Sequence, residues 1–283
     1  MTRTVFVLCA VLLSAACATA PTPAPAAAAA APCNPGHTIL NATLWVQQSA
    51  EYRAAALQTY AAARRALDAA LADSTWVGAE EETANDPSQP PAVILDVDET
   101  SLDNTPFQGR VIRKGMTYDK KMWEQWVSES AAPAIPGARE FLAYATSRGV
   151  TPFYVTNRDV PEEEPGTLQN LKNAGFPIDD KGDALLMRGE NGWAGDKSPR
   201  RAHVAKSYRV LLLLGDDLND FANARDKSAA ERDAIMTRTA SWWGTRWFML
   251  PNPMYGSWES AAIGKGTTPC DDVQRKVDAL RDR

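Results

Sequence analysis

The chain has 283 residues, of which 45% are hydrophobic, so it can bury one substantial core with room for a small appended module. Its formal net charge of −5 excludes a general electrostatic attraction to nucleic acid polymers or anionic lipids. An anionic ligand therefore has to be held by a local site.

The N-terminus has the pattern of a bacterial targeting segment. Arg3 supplies positive charge, and residues 5–13 form an apolar run too short to span a bilayer. Small residues then precede Cys17, as in a lipobox, although Ser14 stands where an aliphatic residue is usual. We expect a signal peptide over 1–16 and lipidation of Cys17. The alternative is ordinary signal peptidase cleavage within 16–20, which Pro21 disfavours.

An Ala- and Pro-rich stretch follows Cys17 and cannot form a core of its own. We therefore expect a tether over 17–35 and a folded domain over 36–283. Cys9 would leave with the signal peptide, so Cys33 and Cys270 remain as a pair in an oxidising compartment. We predict that the two form a disulfide that joins the start and the end of the folded domain; two buried free thiols are the alternative.

The first half of the folded domain contains one predicted long helix and one predicted buried strand. Apolar residues recur at helical spacing over 39–71 without Gly or Pro. After a polar surface connection over 73–89, the apolar run 92–95 predicts a parallel strand that ends in Asp96 and Asp98. Two carboxylates this close need a cation or a shared proton, which favours a Mg²⁺ site with a nucleophile and an acid/base. The alternative is an acidic, solvated turn.

The next helix signal comes only at 137–147, so we predict a cap insertion at about 104–135, above the strand ends. Its aromatic residues, Trp123 among them, would for the most part pack the insertion onto the body. A second strand over 150–156 then places Thr156 at the same edge of the sheet. We further predict a helix over 167–174 and a short strand over 184–187.

The last third of the chain predicts two more strand ends and one more helix start. Lys197 precedes a predicted helix with Ser198 at its N-cap and Pro199 at its first position, a place where anions bind. The strand 210–214 ends at Asp216, Asp217 and Asp220, and 247–250 predicts a last strand. Strands and helices that alternate in this way predict an α/β fold with a doubly wound, mostly parallel sheet and helices on both faces.

The order of these polar groups resembles motifs I to IV of the haloacid dehalogenase (HAD) superfamily. The resemblance implies that Asp96 attacks phosphorus and forms an aspartyl phosphate, and that Asp98 is the general acid and base. It also implies Mg²⁺ held by the Asp96 carboxylate, the Asp98 main-chain carbonyl and Asp216, with Asp220 orienting a metal-bound water. The Thr156 hydroxyl and the Lys197 ammonium would neutralise the phosphoryl oxygens.

Four longer segments narrow the resemblance to class C acid phosphatases, the lipid-anchored outer-membrane acid phosphatases and 5′-nucleotidases of bacteria. They are residues 44–52 (LWVQQSAEY), 95–104 (LDVDETSLDN), 154–158 (YVTNR) and 249–252 (MLPN). The resemblance implies a nucleobase held between Trp123 and Tyr255, substrate contacts from Asn157 and Arg158, a cell-envelope location and a homodimer. Asp217 departs from the Asn expected there and would add negative charge near the metal.

The sequence thus predicts a Mg²⁺-dependent phosphomonoesterase for nucleoside monophosphates and other small organic phosphates. One alternative is a related phosphatase or phosphotransferase for non-nucleotide substrates. Another is a surface binding protein on an inactive phosphatase scaffold, which the intact set of acidic residues disfavours.

Overall fold

A computed structural model describes Met1 and residues 33–82, 86–179, 181–264 and 266–282. The chain divides into two units, Met1–Cys33 and Asn34–Arg283. All elements described below belong to the second unit. The predicted signal peptide, nearly all of the predicted tether and Cys17 lie outside the described residues.

A five-stranded parallel sheet forms the centre of the second unit, with the order β3-β2-β1-β4-β5. The strands are β1 (Pro91–Leu95), β2 (Thr151–Asp159), β3 (Leu185–Arg188), β4 (Arg209–Gly215) and β5 (Trp247–Met249). The central strand β1 lies between β2 and β4. The carboxyl ends of these three strands therefore meet at one edge of the sheet, where ligands bind in open α/β folds.

Ten α-helices accompany the strands in the described residues. They are α1 (His37–Gln48), α2 (Ala50–Ala72), α3 (Thr105–Arg113), α4 (Lys120–Glu129), α5 (Ala138–Ser147), α6 (Glu164–Asn173), α7 (Ser198–Ala205), α8 (Ala229–Arg238), α9 (Ser257–Ile263) and α10 (Pro269–Asp278).

The core has two halves, one on each face of the sheet, because successive strand residues point to opposite faces. Val93 and Leu95 of β1 pack with residues of α2 and α5 on one face. Ile94 packs on the other face with Val204 of α7 and Ile235 of α8. The predicted α/β fold with helices on both faces is confirmed.

The helix predicted over 39–71 is broken into α1 and α2, so that prediction is wrong at its centre. Ser49 has an extended backbone with ψ of 141° and its hydroxyl accepts the Tyr52 N–H, which makes it the N-cap of α2. A single Ser inside an apolar period gives a weak signal. The start of α7 also differs from the prediction. This helix begins at Ser198 with Lys197 at the N-cap position, one residue earlier than predicted.

The insertion after β1 consists of α3 and α4 and lies against the body through aromatic residues. Phe107 and Trp126 are buried, and the Trp126 indole N–H donates to Asn104 Oδ1 at 2.8 Å. These two aromatics therefore serve packing, as the sequence predicts for most of the insertion.

Cys33 and Cys270 are both disulfide-bonded. Their pairing with each other stays a prediction, which non-reducing peptide mapping would test. Among the described residues, no helix combines the length and the apolar character that crossing a bilayer requires.

Candidate active site

The loop after β1 holds Asp96 at the edge of the sheet. The Asp96 N–H donates to the Leu214 carbonyl at 3.0 Å, so the pairing of β1 with β4 continues to this residue. Its own carbonyl accepts the Ser101 hydroxyl at 2.7 Å. Glu99, in the same turn, has a positive φ of 56°, a backbone conformation that non-glycine residues rarely adopt. These backbone and hydroxyl hydrogen bonds hold the turn that carries Asp96.

Asp98 is held by side chains from three other positions. The Arg158 guanidinium donates to Asp98 Oδ1 through Nη2 at 2.8 Å and Nε at 3.1 Å, and the Asn104 amide donates to the same oxygen at 2.8 Å. The Thr156 hydroxyl lies 3.5 Å from Oδ2. Asp98 therefore has a fixed orientation at the wall of a cavity that it helps to line.

Lys197 joins the carboxylates on the other side of Asp96. Its ammonium donates to Asp96 Oδ1, and to Asp220 Oδ1 at 2.6 Å. All three side chains are almost fully buried. Burial by itself lowers the pKa of Lys197, but the two carboxylates raise it above its ordinary value. Lys197 is thus a permanent cation beside Asp96.

Asp96, Asp216 and Asp220 form a cluster in which one carboxylate oxygen from each lies within 4.8 Å of the others. Asp216 accepts hydrogen bonds from the Thr100 hydroxyl at 3.1 Å and the Asn252 amide at 2.8 Å. Asp220 Oδ2 accepts the backbone N–H groups of Asp216 and Asp217. Asp216 and Asp220 are therefore oriented by different sets of donors, while Asp96 and Asp220 share Lys197.

The cluster carries more negative charge than Lys197 balances. Burial, with a contribution from Asp220 and Asp98, raises the pKa of Asp96 to about 7 even though Lys197 opposes the shift. Burial and the neighbouring carboxylates likewise raise the pKa of Asp216 well above its ordinary value. Hard oxygen donors with excess negative charge fit Mg²⁺ chemically. Asp220 belongs to this cluster itself, whereas the Asp98 carboxylate is outside it and faces Arg158.

These raised pKa values predict how pH affects the metal-free protein. Between about pH 4 and about 7, folded Asp96 binds a proton that the unfolded chain has released, so the free energy of unfolding falls as pH rises. A divalent cation bound at the cluster would take the place of those protons. We expect the Tm in EDTA to fall between about pH 5 and about 7.5, and Mg²⁺ to raise the Tm more at the higher pH. A Mg²⁺ effect that is equal at both values, or larger at the lower one, would contradict this metal site.

Asp217 lies beside the cluster but faces another element. Its carboxylate accepts the Ser257 N–H at 2.6 Å and the Ser257 hydroxyl at 2.5 Å, and Arg232 lies 4.0 Å away. That Asp217 adds charge near the metal site stays a prediction, although its carboxylate is oriented toward Ser257 and Arg232. Asp217 holds the segment that carries Tyr255.

Two residues assigned to phosphate or substrate have structural contacts as well. Thr156 is fully buried and is not among the residues that line the cavity. Its hydroxyl accepts the Arg158 N–H at 3.1 Å. Asn157 does line the cavity. Its side-chain amide donates to the Gly195 carbonyl at 3.0 Å, and its Oδ1 accepts a hydrogen bond from Arg200 Nη2 at 2.6 Å.

The sequence did not assign three polar residues that orient the predicted catalytic groups, namely Asn104, Asn252 and Arg200. Arg200 is fully buried, and its guanidinium donates to the Thr156 carbonyl and to Asn157 Oδ1. Burial lowers its pKa to about 10. Asn104 and Asn252 lie in segments quoted above, but nothing in their local pattern shows which carboxylate they contact.

A cavity of about 560 Å³ brings the aromatic residues and the carboxylates together. Asp96, Asp98 and Lys197 line it, and so do Trp123 and Tyr255. The sequence-predicted residues from the insertion and from the last loop thus share one cavity with the predicted catalytic groups.

Trp123 has a fixed position in the wall of this cavity. It packs edge-on against Phe107 with ring centroids 5.1 Å apart. The Arg158 guanidinium carbon lies 5.1 Å from the centroid of the ring, over its face. Arg158 therefore connects the aromatic wall to Asp98, which makes it a positioning residue as well as a lining residue.

Comparison with known proteins agrees with this site. Residues 5–258 match the profile of HAD superfamily subfamily IIIB, the acid phosphatases. The class C acid phosphatase from Bacillus anthracis is 30% identical with a TM-score of 0.78, over 88% of this chain and 99% of that one. Its structure with tungstate bound gives a TM-score of 0.76 at 30% identity, over 88% of this chain and 98% of that one.

Curated plant proteins are also similar over part of their length. Acid phosphatase 1 of Solanum lycopersicum is 30% identical over 168 residues, which are 57% of this chain and 57% of that protein. A stem 31 kDa glycoprotein of Glycine max is 24% identical over 57% of this chain and 58% of its own length. The match thus spans little more than half the length of these relatives. The predicted resemblance to class C acid phosphatases and the predicted fold are confirmed.

Proposed function

Because the chain belongs to the acid phosphatases of subfamily IIIB of the HAD superfamily, we propose that it is a Mg²⁺-dependent phosphomonoesterase with Asp96 as its nucleophile. Its proposed substrates are nucleoside monophosphates and other small organic phosphates. The observation that carries the proposal is that Asp96, Asp98, Trp123 and Tyr255 line one cavity.

In the first half-reaction, an Asp96 oxygen forms a bond to phosphorus while the bond from phosphorus to the leaving oxygen breaks. Asp98 gives its proton to that oxygen, which leaves as an alcohol. Arg158 and Asn104 hold Asp98 on the cavity wall, so the proton is delivered from a fixed direction. Lys197, which already contacts Asp96, balances negative charge on the phosphoryl oxygens.

In the second half-reaction, water attacks the aspartyl phosphate and Asp98 takes the proton from that water. Asp96 is released together with inorganic phosphate, and Asp98 is protonated for the next cycle. Mg²⁺ at Asp96, Asp216 and Asp220, with the Asp98 carbonyl, would neutralise phosphoryl charge during both steps. The B. anthracis relative with bound tungstate supports a site for a tetrahedral oxyanion.

The nucleotidase part of the proposal depends on the aromatic pair. If Trp123 and Tyr255 stack on a base, each ring contributes about 1–3 kcal/mol. Replacing either by Ala is then expected to lower kcat/KM for nucleoside monophosphates by about ten- to a hundredfold. Glycerol phosphate, which has no base, should change far less. Kinetics with the two substrates measure both effects.

Matched variants separate stacking from packing. Trp123→Phe and Tyr255→Phe keep a ring and should recover most of the nucleotide activity. If the rings only pack the insertion onto the body, the Ala variants lose activity on both substrates alike and also lose Tm. Equal losses would refute the base clamp and would favour the alternative phosphatase or phosphotransferase for non-nucleotide substrates. If the protein hydrolyses no phosphomonoester, with or without EDTA, the result would favour the surface binding protein on an inactive phosphatase scaffold.

We also propose a cell-envelope location with a lipid anchor at Cys17, in the outer membrane as the resemblance implies, and a homodimer. The sequence around Cys17 supports the anchor. Cys17→Ser is expected to move the protein from the membrane fraction to the soluble fraction. An unchanged fractionation would rule out lipidation as the anchor, and sedimentation of the folded domain would test the dimer.

A further inference from the structure

Five cations line the catalytic cavity among the described residues, namely Arg158, Arg188, Lys197, Arg225 and Lys276. Four of them are paired with carboxylates. Arg158 pairs with Asp98 and Arg188 pairs with Asp159. Lys197 pairs with Asp96 and Asp220, and Lys276 pairs with Glu259. Arg225 has neither an ion pair nor a side-chain hydrogen bond to any described residue. Its charge therefore remains available within the cavity.

The Arg225 side chain lies against the backbone of Gly195. A Cβ added to Gly195 would lie 2.5 Å from Nε and 2.6 Å from Cζ of Arg225, so the guanidinium lies directly against this glycine. The Gly195 carbonyl accepts the side-chain amides of Asn157 and Asn219, each at 3.0 Å. These two hydrogen bonds hold the Gly195 backbone on which Arg225 packs, and Gly195 is only two residues before Lys197 in the chain.

The charge balance of the cavity favours an anion at this position. Carboxylates outnumber cations among the lining residues, so an anionic substrate meets net repulsion except where a cation is unpaired. An arginine fork binds phosphate or carboxylate oxygens through two parallel hydrogen bonds. Arg225 has this geometry available, whereas the forks of Arg158 and Arg188 are already occupied by Asp98 and Asp159.

Arg225 does not belong to the group that surrounds the reacting phosphorus. Lys197 contacts Asp96 and Asp220 there, and Arg225 forms no ion pair with Asp96, Asp216 or Asp220. Building on the proposed function, we propose that Arg225 is a subsite for a second anionic group of the substrate. The substrates it favours are small phosphomonoesters that carry an additional phosphate or carboxylate, such as phosphorylated hydroxy acids and nucleoside bisphosphates.

The test compares two esters that differ in one anionic group, phosphoglycerate and glycerol phosphate. For Arg225→Gln, we expect kcat/KM for phosphoglycerate to fall by about ten- to a hundredfold, as for the loss of a charged hydrogen bond. The value for glycerol phosphate should change by less than about threefold. Arg225→Lys should keep part of the preference, because it keeps the charge and loses the fork.

Arg188→Gln is the matched control, since it removes a cation of the same cavity whose fork is held by Asp159. It should leave the ratio between the two esters unchanged. Equal losses on both esters for Arg225→Gln would mean that Arg225 contacts the transferred phosphoryl group or serves the fold. Unchanged kcat/KM values for both esters would mean that Arg225 binds no second anion. Either result overturns the proposal while hydrolysis of glycerol phosphate leaves the proposed function intact.

Binding of two phosphonates tests Arg225 without turnover. In Mg²⁺ buffer, calorimetry should show phosphonoacetate binding more tightly than methylphosphonate to the wild-type protein and losing that advantage in Arg225→Gln. The same advantage in both proteins would refute the subsite. If neither ester is hydrolysed at all, the proposed function fails and this binding difference still decides the role of Arg225.

Discussion

Asp96→Asn is expected to reduce turnover by about ten thousandfold or more, because an amide oxygen does not form the phosphoryl bond and no other group replaces it. The protein should stay folded. In EDTA it should even gain Tm near neutral pH, since the buried carboxylate with a pKa of about 7 is no longer forced to ionise. Steady-state kinetics and a thermal melt measure both consequences.

Asp217→Asn is the control for this variant. Asp217 also follows β4 and lines the cavity, yet its carboxylate binds Ser257 and not the cluster. On glycerol phosphate it should lose less than about tenfold in kcat/KM. Substantial activity in Asp96→Asn would end the covalent mechanism, and an equal collapse of both variants would show a general effect of removing charge at this edge.

Asp98→Asn is expected to slow both half-reactions by about a hundred- to ten-thousandfold, the range for loss of a general acid/base. The Asn oxygen can still accept the hydrogen bonds that Arg158 and Asn104 donate to Oδ1, so the geometry should persist while proton transfer is lost. Aspartyl phosphate formation from nitrophenyl phosphate, whose leaving group needs no proton, should be slowed least.

Phosphorylated enzyme should then accumulate with this ester, because water attack on the aspartyl phosphate still lacks its base. Stopped-flow kinetics should show a burst of nitrophenolate followed by a slow steady state. If Asp98→Asn slows aspartyl phosphate formation equally for esters with good and with poor leaving groups, Asp98 does not donate the proton to the leaving group.

The arrangement of the catalytic edge could be predicted because parallel strands end on one side of a sheet. The run that ends in Asp96 and the run that ends in Asp216 form neighbouring strands, β1 and β4. Their carboxylates therefore meet although the two residues are far apart in the chain. Lys197 was predictable for a related reason, since it directly precedes the helix α7.

Contacts between side chains distant in sequence could not be predicted in the same way. Arg158 was assigned to substrate, but its fork is occupied by Asp98. Asp217 was expected to add negative charge near the metal, and its carboxylate binds Ser257. In both cases the sequence correctly placed a charged residue near the site. It did not show which side chain that residue contacts, because the contact depends on tertiary packing.

Rapid acid quench followed by peptide mass spectrometry tests the central claim most directly. The wild-type protein is mixed with Mg²⁺ and a nucleoside monophosphate and is quenched within the first turnover, with Asp98→Asn as a second sample. We expect the peptide that contains Asp96 to carry one phosphoryl group on that residue, at higher occupancy in Asp98→Asn. An unmodified Asp96 peptide during active turnover, or a phosphoryl group on another residue, would contradict Asp96 as the nucleophile.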